Sequence, residues 1–109
     1  MQNKQVQVIE LSESQFEAAT ANGVTLVDFW APWCMPCQMQ KPVLEQVARN
    51  IDSQAKIYEL NVDEAQSIAV QFGVQSIPTL ILFKDGSEVR RFVGVQSGEI
   101  LIDAIRAAV

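Results

Sequence analysis

The chain has 109 residues, 49% of them hydrophobic and 19% charged, with 8 Lys and Arg against 13 Asp and Glu for a net charge of −5. This is the length and balance of one globular domain, 1–109, and the acidic sign disfavours nucleic acid and anionic membranes as partners. No histidine and only two cysteines, Cys34 and Cys37, are present, which excludes Ser-His-Asp and Cys-His catalysis and leaves too few ligands for a closed zinc or iron–sulfur site.

The first residues, 1–7, are polar and lack the apolar core of a secretory signal. No apolar run approaches the ~20 residues needed to span a bilayer. A cytoplasmic location without membrane contact is the expectation. Residues 6–9 read as a short strand. Ser12, with Gln15 three residues on, forms a capping box that opens a helix to about Ala21, and Gly23 stops it. The nearly continuous apolar run 24–30 reads as a strand covered on both faces. Residues 34–50 read as a helix with Val43, Leu44 and Val47 on its apolar side. Pro42 lacks the N–H that bonds back to residue 38, which predicts a kink.

Residues 57–62 follow as a strand. Asp63 is expected to cap a short helix through Phe72, closed by Gly73. Strands at 77–83 and 88–94 are joined by Lys84-Asp85-Gly86-Ser87, whose Asp-Gly pair is a hairpin signal. Ser97 caps a last helix with Ile100, Leu101, Ala104, Ile105 and Ala108 on one face. The order β-α-β-α-β-α-β-β-α belongs to the α/β class. Alternation implies parallel pairing with right-handed crossovers, the terminal hairpin an antiparallel edge, and the whole a mixed sheet between helices. The ligand-facing side is expected where strand 24–30 ends and helix 34–50 begins.

That junction carries Trp33-Cys34-Met35-Pro36-Cys37. Spacing of i and i+3 brings two side chains together and suits the Cα separation of a disulfide. First-turn N–H groups have no intrahelical partner, and the positive end of the helix dipole favours a thiolate at Cys34. Cys37, one turn deeper, is more protected. An exposed attacking thiolate and a protected resolving thiol are thus expected. Pro36 suits the first turn, where no N–H is missed. Three readings compete: redox chemistry, a metal bridged between two copies, and an inert pair or structural staple. A four-residue loop contributes only about 2 kcal/mol to a staple, and Cys-x-x-Cys in a protein of reducing compartments favours redox chemistry.

The run Val27-Asp28-Phe29-Trp30-Ala31-Pro32-Trp33-Cys34-Met35-Pro36-Cys37 closely resembles the thioredoxin signature. Downstream, Pro42, Phe72-Gly73-Val74, Ser76-Ile77-Pro78-Thr79, Phe83-Lys84-Asp85-Gly86 and Val93-Gly94 match at the family's spacings. The resemblance covers essentially the whole chain. It implies the thioredoxin fold, a mixed five-stranded central sheet flanked by four helices. It also implies a thiol–disulfide oxidoreductase that acts as a general protein disulfide reductase, with Cys34 as nucleophile and Cys37 as resolving thiol. No bound cofactor is implied. Electrons are expected from a separate, NADPH-dependent thioredoxin reductase, since no Gly-x-Gly-x-x-Gly dinucleotide motif occurs. Disulfide-containing proteins and that reductase are the expected partners of a monomeric chain.

Asp28 lies in a strand apolar on both parities, so burial should raise its pKa toward that of a base for the Cys37 proton. The resemblance supports that role. It also makes Pro78 a cis-proline facing the cysteines, holding Ile77 where a substrate strand pairs. Trp33, Ile77, Pro78, Val93 and Gly94 are the expected apolar contact surface, with glycine at 94 permitting close approach. Trp30 is divided between this surface and the core, and Phe72, Phe83 and Phe92 belong to the core. Three positions depart from the family pattern. Met35 replaces the usual glycine and, with Pro36, is expected to tune the potential. Gln38 replaces a frequent cation. Glu59 stands where a lysine is common, and as a modulator beside Asp28 it would push the carboxyl pKa further up. Two rival readings remain. One is a docking module that uses the fold without exchange. The other is a disulfide oxidase or isomerase, against which the absent signal peptide and the absence of histidine between the cysteines both count.

Overall fold

In the computed structural model, which describes residues 7–109, the apolar run 24–30 is strand β2 (Val24–Trp30), buried at every position but the last. The other strands are β1 (Val8–Leu11), β3 (Lys56–Asn61), β4 (Thr79–Lys84) and β5 (Ser87–Val93), set in the order β1-β3-β2-β4-β5. Strand β3 runs parallel to both β1 and β2, whereas β4 is antiparallel to β2 and to β5. The mixed sheet with an antiparallel edge is therefore as expected. Four helices complete the fold: α1 (Phe16–Thr20), α2 (Met35–Asn50), α3 (Gln66–Gln71) and α4 (Gly98–Ala108).

Alternation along the central strands explains why they are apolar on both parities. Leu26, Leu80 and Leu82 pack with Leu44 and Val47 of α2 and Leu101 and Ile105 of α4. Their neighbours Val27, Phe29, Ile81 and Phe83 point the other way, onto Phe16 of α1 and Ala65. Each large side chain so buried contributes roughly 1.5–3 kcal/mol relative to exposure. Phe16, Phe72 and Phe83 form a triad with edge-on and tilted rings, centroids 5.3–5.6 Å apart. Phe83 and Phe92 are core, as expected, and Phe72 is half-buried at its margin.

The differences from the sequence reading have local causes. Strand β1 begins at Val8; Val6, the expected start, lies outside the described residues. The first helix opens with a 3-10 turn at Glu13–Gln15 before α1. There the Ser12 N–H donates to Gln15 Oε1 at 3.1 Å, the reciprocal arm of the capping box. Helix α2 starts at Met35, with Cys34 as its cap, and continues through Pro42 without ending. Asp63 does not cap α3. Its carboxylate is engaged by Trp33, and α3 starts only at Gln66, after Ala65. Strand β4 starts at Thr79, since the chain turns at Ile77 and Pro78 before the ladder begins.

At the hairpin, Asp85 and Gly86 both take positive φ, 50° and 88°, the combination a two-residue turn needs to match the twist of its strands. Asp85 also accepts a 2.7 Å hydrogen bond from the Gly23 N–H, which ties the hairpin to the start of β2. A Cβ on residue 86 would meet only ordinary contacts with Ala21, so the cost of adding one is conformational. Gly86→Ala is expected to lower stability by about 1 kcal/mol, read as a lower urea midpoint with an unchanged m-value.

Candidate active site

Strand β2 and helix α2 meet at the two cysteines. Cys34 is the cap of α2, in extended conformation (φ −96°, ψ 110°), and its Sγ accepts a 3.2 Å hydrogen bond from the Cys37 N–H. Pro36 occupies the second helical position, where no intrahelical donor is needed. Sulfur therefore stands where Ser or Asp usually stands in a helix cap, aimed at by a free first-turn N–H and by the positive end of a 16-residue helix. Cys34 and Cys37 are joined as a disulfide, with Cα atoms 5.2 Å apart.

The two sulfurs differ in access in the expected direction, but the contrast is smaller than the sequence suggested. Cys34 is 5% exposed and Cys37 is fully buried. Cys34 is not the open thiol anticipated, because it packs with Ala31 and Cys37 against Trp30, Val62 and Ile77.

Three loops close around this pair. The Ile77–Pro78 bond is cis, and the Ile77 carbonyl oxygen lies 3.7 Å from Cys34 Sγ. The Pro78 carbonyl accepts a 2.8 Å hydrogen bond from the Gly94 N–H, which draws in the loop after β5. Gly94 has φ +90° with open space beyond it, so its lack of a side chain serves both the backbone and the bare face. Val93 is exposed beside it, while Ile77 is half-buried. Trp33 is 71% exposed, yet its Nε1–H donates to Asp63 Oδ2 at 2.9 Å. Met35 is equally exposed.

On β2, six residues before Cys34, Asp28 has no exposed surface, and neither carboxylate oxygen has a hydrogen-bond partner among the described residues. It shares the parity of Leu26, so it faces the side of the sheet that α2 covers. Glu59 is its neighbour across the β2–β3 ladder. Lys41, on α2, reaches Glu59 Oε2 at 2.9 Å with its Nζ 3.6 Å above the centre of the Trp30 ring. Burial, then the negative charge of Glu59, push the Asp28 pKa up to about 8; Lys41 opposes this and Glu10 adds to it.

The thioredoxin family model matches residues 7–107. The chain belongs to the thioredoxin family. It is 49% identical to a thioredoxin of Staphylococcus saprophyticus over 98 residues, 90% of this chain and 94% of the relative. A Staphylococcus aureus thioredoxin is 45% identical over the same length. Among solved structures, a point variant of Halobacterium salinarum thioredoxin superposes with a TM-score of 0.88 at 36% identity, covering 99% of this chain and 96% of that one. The Malassezia sympodialis thioredoxin gives 0.87 at 32% identity with the same coverage. The protein is thus a thiol–disulfide oxidoreductase with a redox-active Cys34–Cys37 pair, a general reductase of protein disulfides, and its family works without a bound cofactor. Among the described residues no helix is long and apolar enough to cross a membrane.

Two residues of the site were not singled out from the sequence. Lys41 follows Cys37 at i+4, a spacing that puts helical side chains on the face of the cysteine; that periodicity was the available signal. Asp63 carried a plausible capping position and no hint of its indole partner.

A carboxyl whose folded pKa exceeds its unfolded value contributes stability in full below about pH 4 and loses it as pH rises through about 8. Asp28→Asn is therefore expected to flatten the pH dependence of stability across that window, with a relative gain on the order of a few kcal/mol at its alkaline end. Urea titrations at pH 4 to 9 measure it. Carbon-detected NMR titration of Asp28 should move down in Glu59→Gln and up in Lys41→Met; a curve unmoved in both would remove these charges from its control.

Proposed function

We propose that the chain works as a single domain, 1–109, in which Cys34 is the nucleophile and Cys37 the resolving thiol. The hydrogen bond from the Cys37 N–H to Cys34 Sγ carries this assignment, because the same donor stabilises a thiolate at Cys34 once the disulfide opens. The Cys34 thiolate attacks one sulfur of a substrate disulfide. The substrate S–S bond breaks, one substrate sulfur leaves as a thiolate and takes up a proton, and a Cys34–substrate mixed disulfide remains. Cys37 then loses its proton to the ionised carboxyl of Asp28 and attacks Cys34 Sγ. The second substrate sulfur leaves and is protonated, so two electrons pass to the substrate and the Cys34–Cys37 disulfide re-forms.

With its pKa near 8, Asp28 is ionised in roughly a tenth of the molecules at pH 7, enough to accept a proton and basic enough to hold it. Glu59 keeps that pKa high, and Lys41 limits the rise. Met35 and Pro36, between the sulfurs, set the potential. Trp33, Ile77, Pro78, Val93 and Gly94 receive the polypeptide that carries the substrate disulfide, with Pro78 holding the Ile77 backbone against Cys34. Electrons return through a separate, NADPH-dependent thioredoxin reductase. The site of action is the cytoplasm, and the working form is a monomer.

Insulin reduction tests the assignment. Cys34→Ser is expected to abolish turnover, whereas Cys37→Ser should accumulate a mixed disulfide detectable by intact-mass spectrometry; trapping through residue 37 in the Cys34→Ser protein would reverse the roles. Asp28→Asn should slow resolution of a preformed mixed disulfide by about 10²-fold at pH 7, the low end of general acid–base contributions, and remove its rise between pH 7 and 8. Single-turnover stopped-flow measures both. Turnover with dithiothreitol but with no NADPH-linked reductase would point to another electron donor.

A further inference from the structure

Gln40 sits on α2 three residues beyond Cys37 and has no exposed surface. A buried amide must find partners for its donor and acceptor. Gln40 finds both on one residue of a distant loop. Its Nε2–H donates to the Gln96 carbonyl at 3.0 Å, and its Oε1 accepts from the Gln96 N–H at 2.7 Å. This copies the paired exchange of a hydrogen-bonded site in an antiparallel ladder, so the side chain acts as a one-residue strand between α2 and the loop that joins β5 to α4.

The same loop is tied again at its start. The Gly94 N–H donates to the Pro78 carbonyl, and the Gln96 side chain donates to the Val93 and Gly94 carbonyls at 3.3 and 3.2 Å. Gly94 is thus held from two directions, by the cis-proline loop and, through Gln96, by the helix that carries both cysteines. An apolar residue would fill the space of Gln40 without reaching Gln96.

We propose that Gln40 is a positioning residue for polypeptide substrates, clamping Gln96 so that the Gly94 loop stands at a fixed height beside Cys34. The proposal rests on the docking surface described under the proposed function. A disulfide carried on a polypeptide uses that loop; a small disulfide that touches only the sulfurs does not. Gln40 therefore favours protein disulfides over small ones without touching either sulfur's chemistry.

Steady-state kinetics with insulin and with cystamine, a small disulfide, separate the possibilities. In Gln40→Leu the KM for insulin is expected to rise about fivefold, the worth of one neutral hydrogen bond, with kcat within about twofold. The cystamine rate and the Cys34–Cys37 potential should be unchanged. Amide hydrogen exchange at Gln96 and Gly94 should quicken. Gln96→Ala keeps the backbone clamp and removes the side-chain brace, so it should raise the insulin KM in the same direction by less. Quickened exchange with an unchanged insulin KM overturns the proposal, as does an equal loss with both substrates or a shifted potential. Should Gln40→Leu fail to fold, Gln40→Met, an unbranched side chain of similar length with no amide to pair with the Gln96 backbone, takes its place, and an unchanged insulin KM there overturns the proposal. Gly94→Asn tests the surface beneath the proposal: no effect on insulin there sinks surface and clamp together, whereas an effect there with none at Gln40 or Gln96 sinks only the clamp.

Discussion

One hydrogen bond organises this molecule: the Cys37 N–H pointing at Cys34 Sγ from the first turn of α2. It requires a helix whose start is fixed in space, and β2 supplies that. The strand is buried on both faces and paired on both edges, so the chain leaves its last residue, Trp30, from a set position and reaches the Cys34 cap after three residues. It also requires the cap residue to leave helical geometry while the next residues enter it, which Cys34 does with extended angles and Pro36 supports from the second position. The chemistry of a thiolate thus depends on how firmly a strand is packed.

The same strand carries a carboxyl, Asp28, held without hydrogen-bond partners among the described residues. A chain with no histidine has few groups that titrate near neutrality. Here burial turns an aspartate into one, and two neighbours of opposite sign trim the result. Glu59 is fixed across the β-ladder, while Lys41 arrives from the helix and is spread between the Glu59 carboxylate and the Trp30 ring. A cation so shared is held in a defined place relative to Asp28, and its field is correspondingly constant.

Much of the fold was legible in the sequence because the signals were local or periodic. The span of β2 was read to the residue from its apolar run, and the Asp-Gly hairpin from the φ values those residues favour. The cysteine pair announced itself by its spacing. What escaped were side chains whose partners lie far along the chain. Asp63 looked like a helix cap because nothing nearby betrays that an indole thirty positions earlier takes its carboxylate. Gln40 looked like an ordinary helical glutamine, since Gln96 is 56 residues away. Glu59 was foreseen as a neighbour of Asp28, but Lys41, which answers it, was not. The access of Cys34 was overread because a position in a turn says little about the side chains that fold over it.

The bond between Trp33 and Asp63 has its own consequence. A large ring on the surface ordinarily carries rotational freedom that it surrenders on contact, and ordering a side chain at an interface costs about 0.5–1.5 kcal/mol. Trp33 stands mostly in solvent, yet its nitrogen is already tethered. Its entropy is lost on folding, so a polypeptide docking on the proposed surface would meet a rigid aromatic face and lose little by touching it.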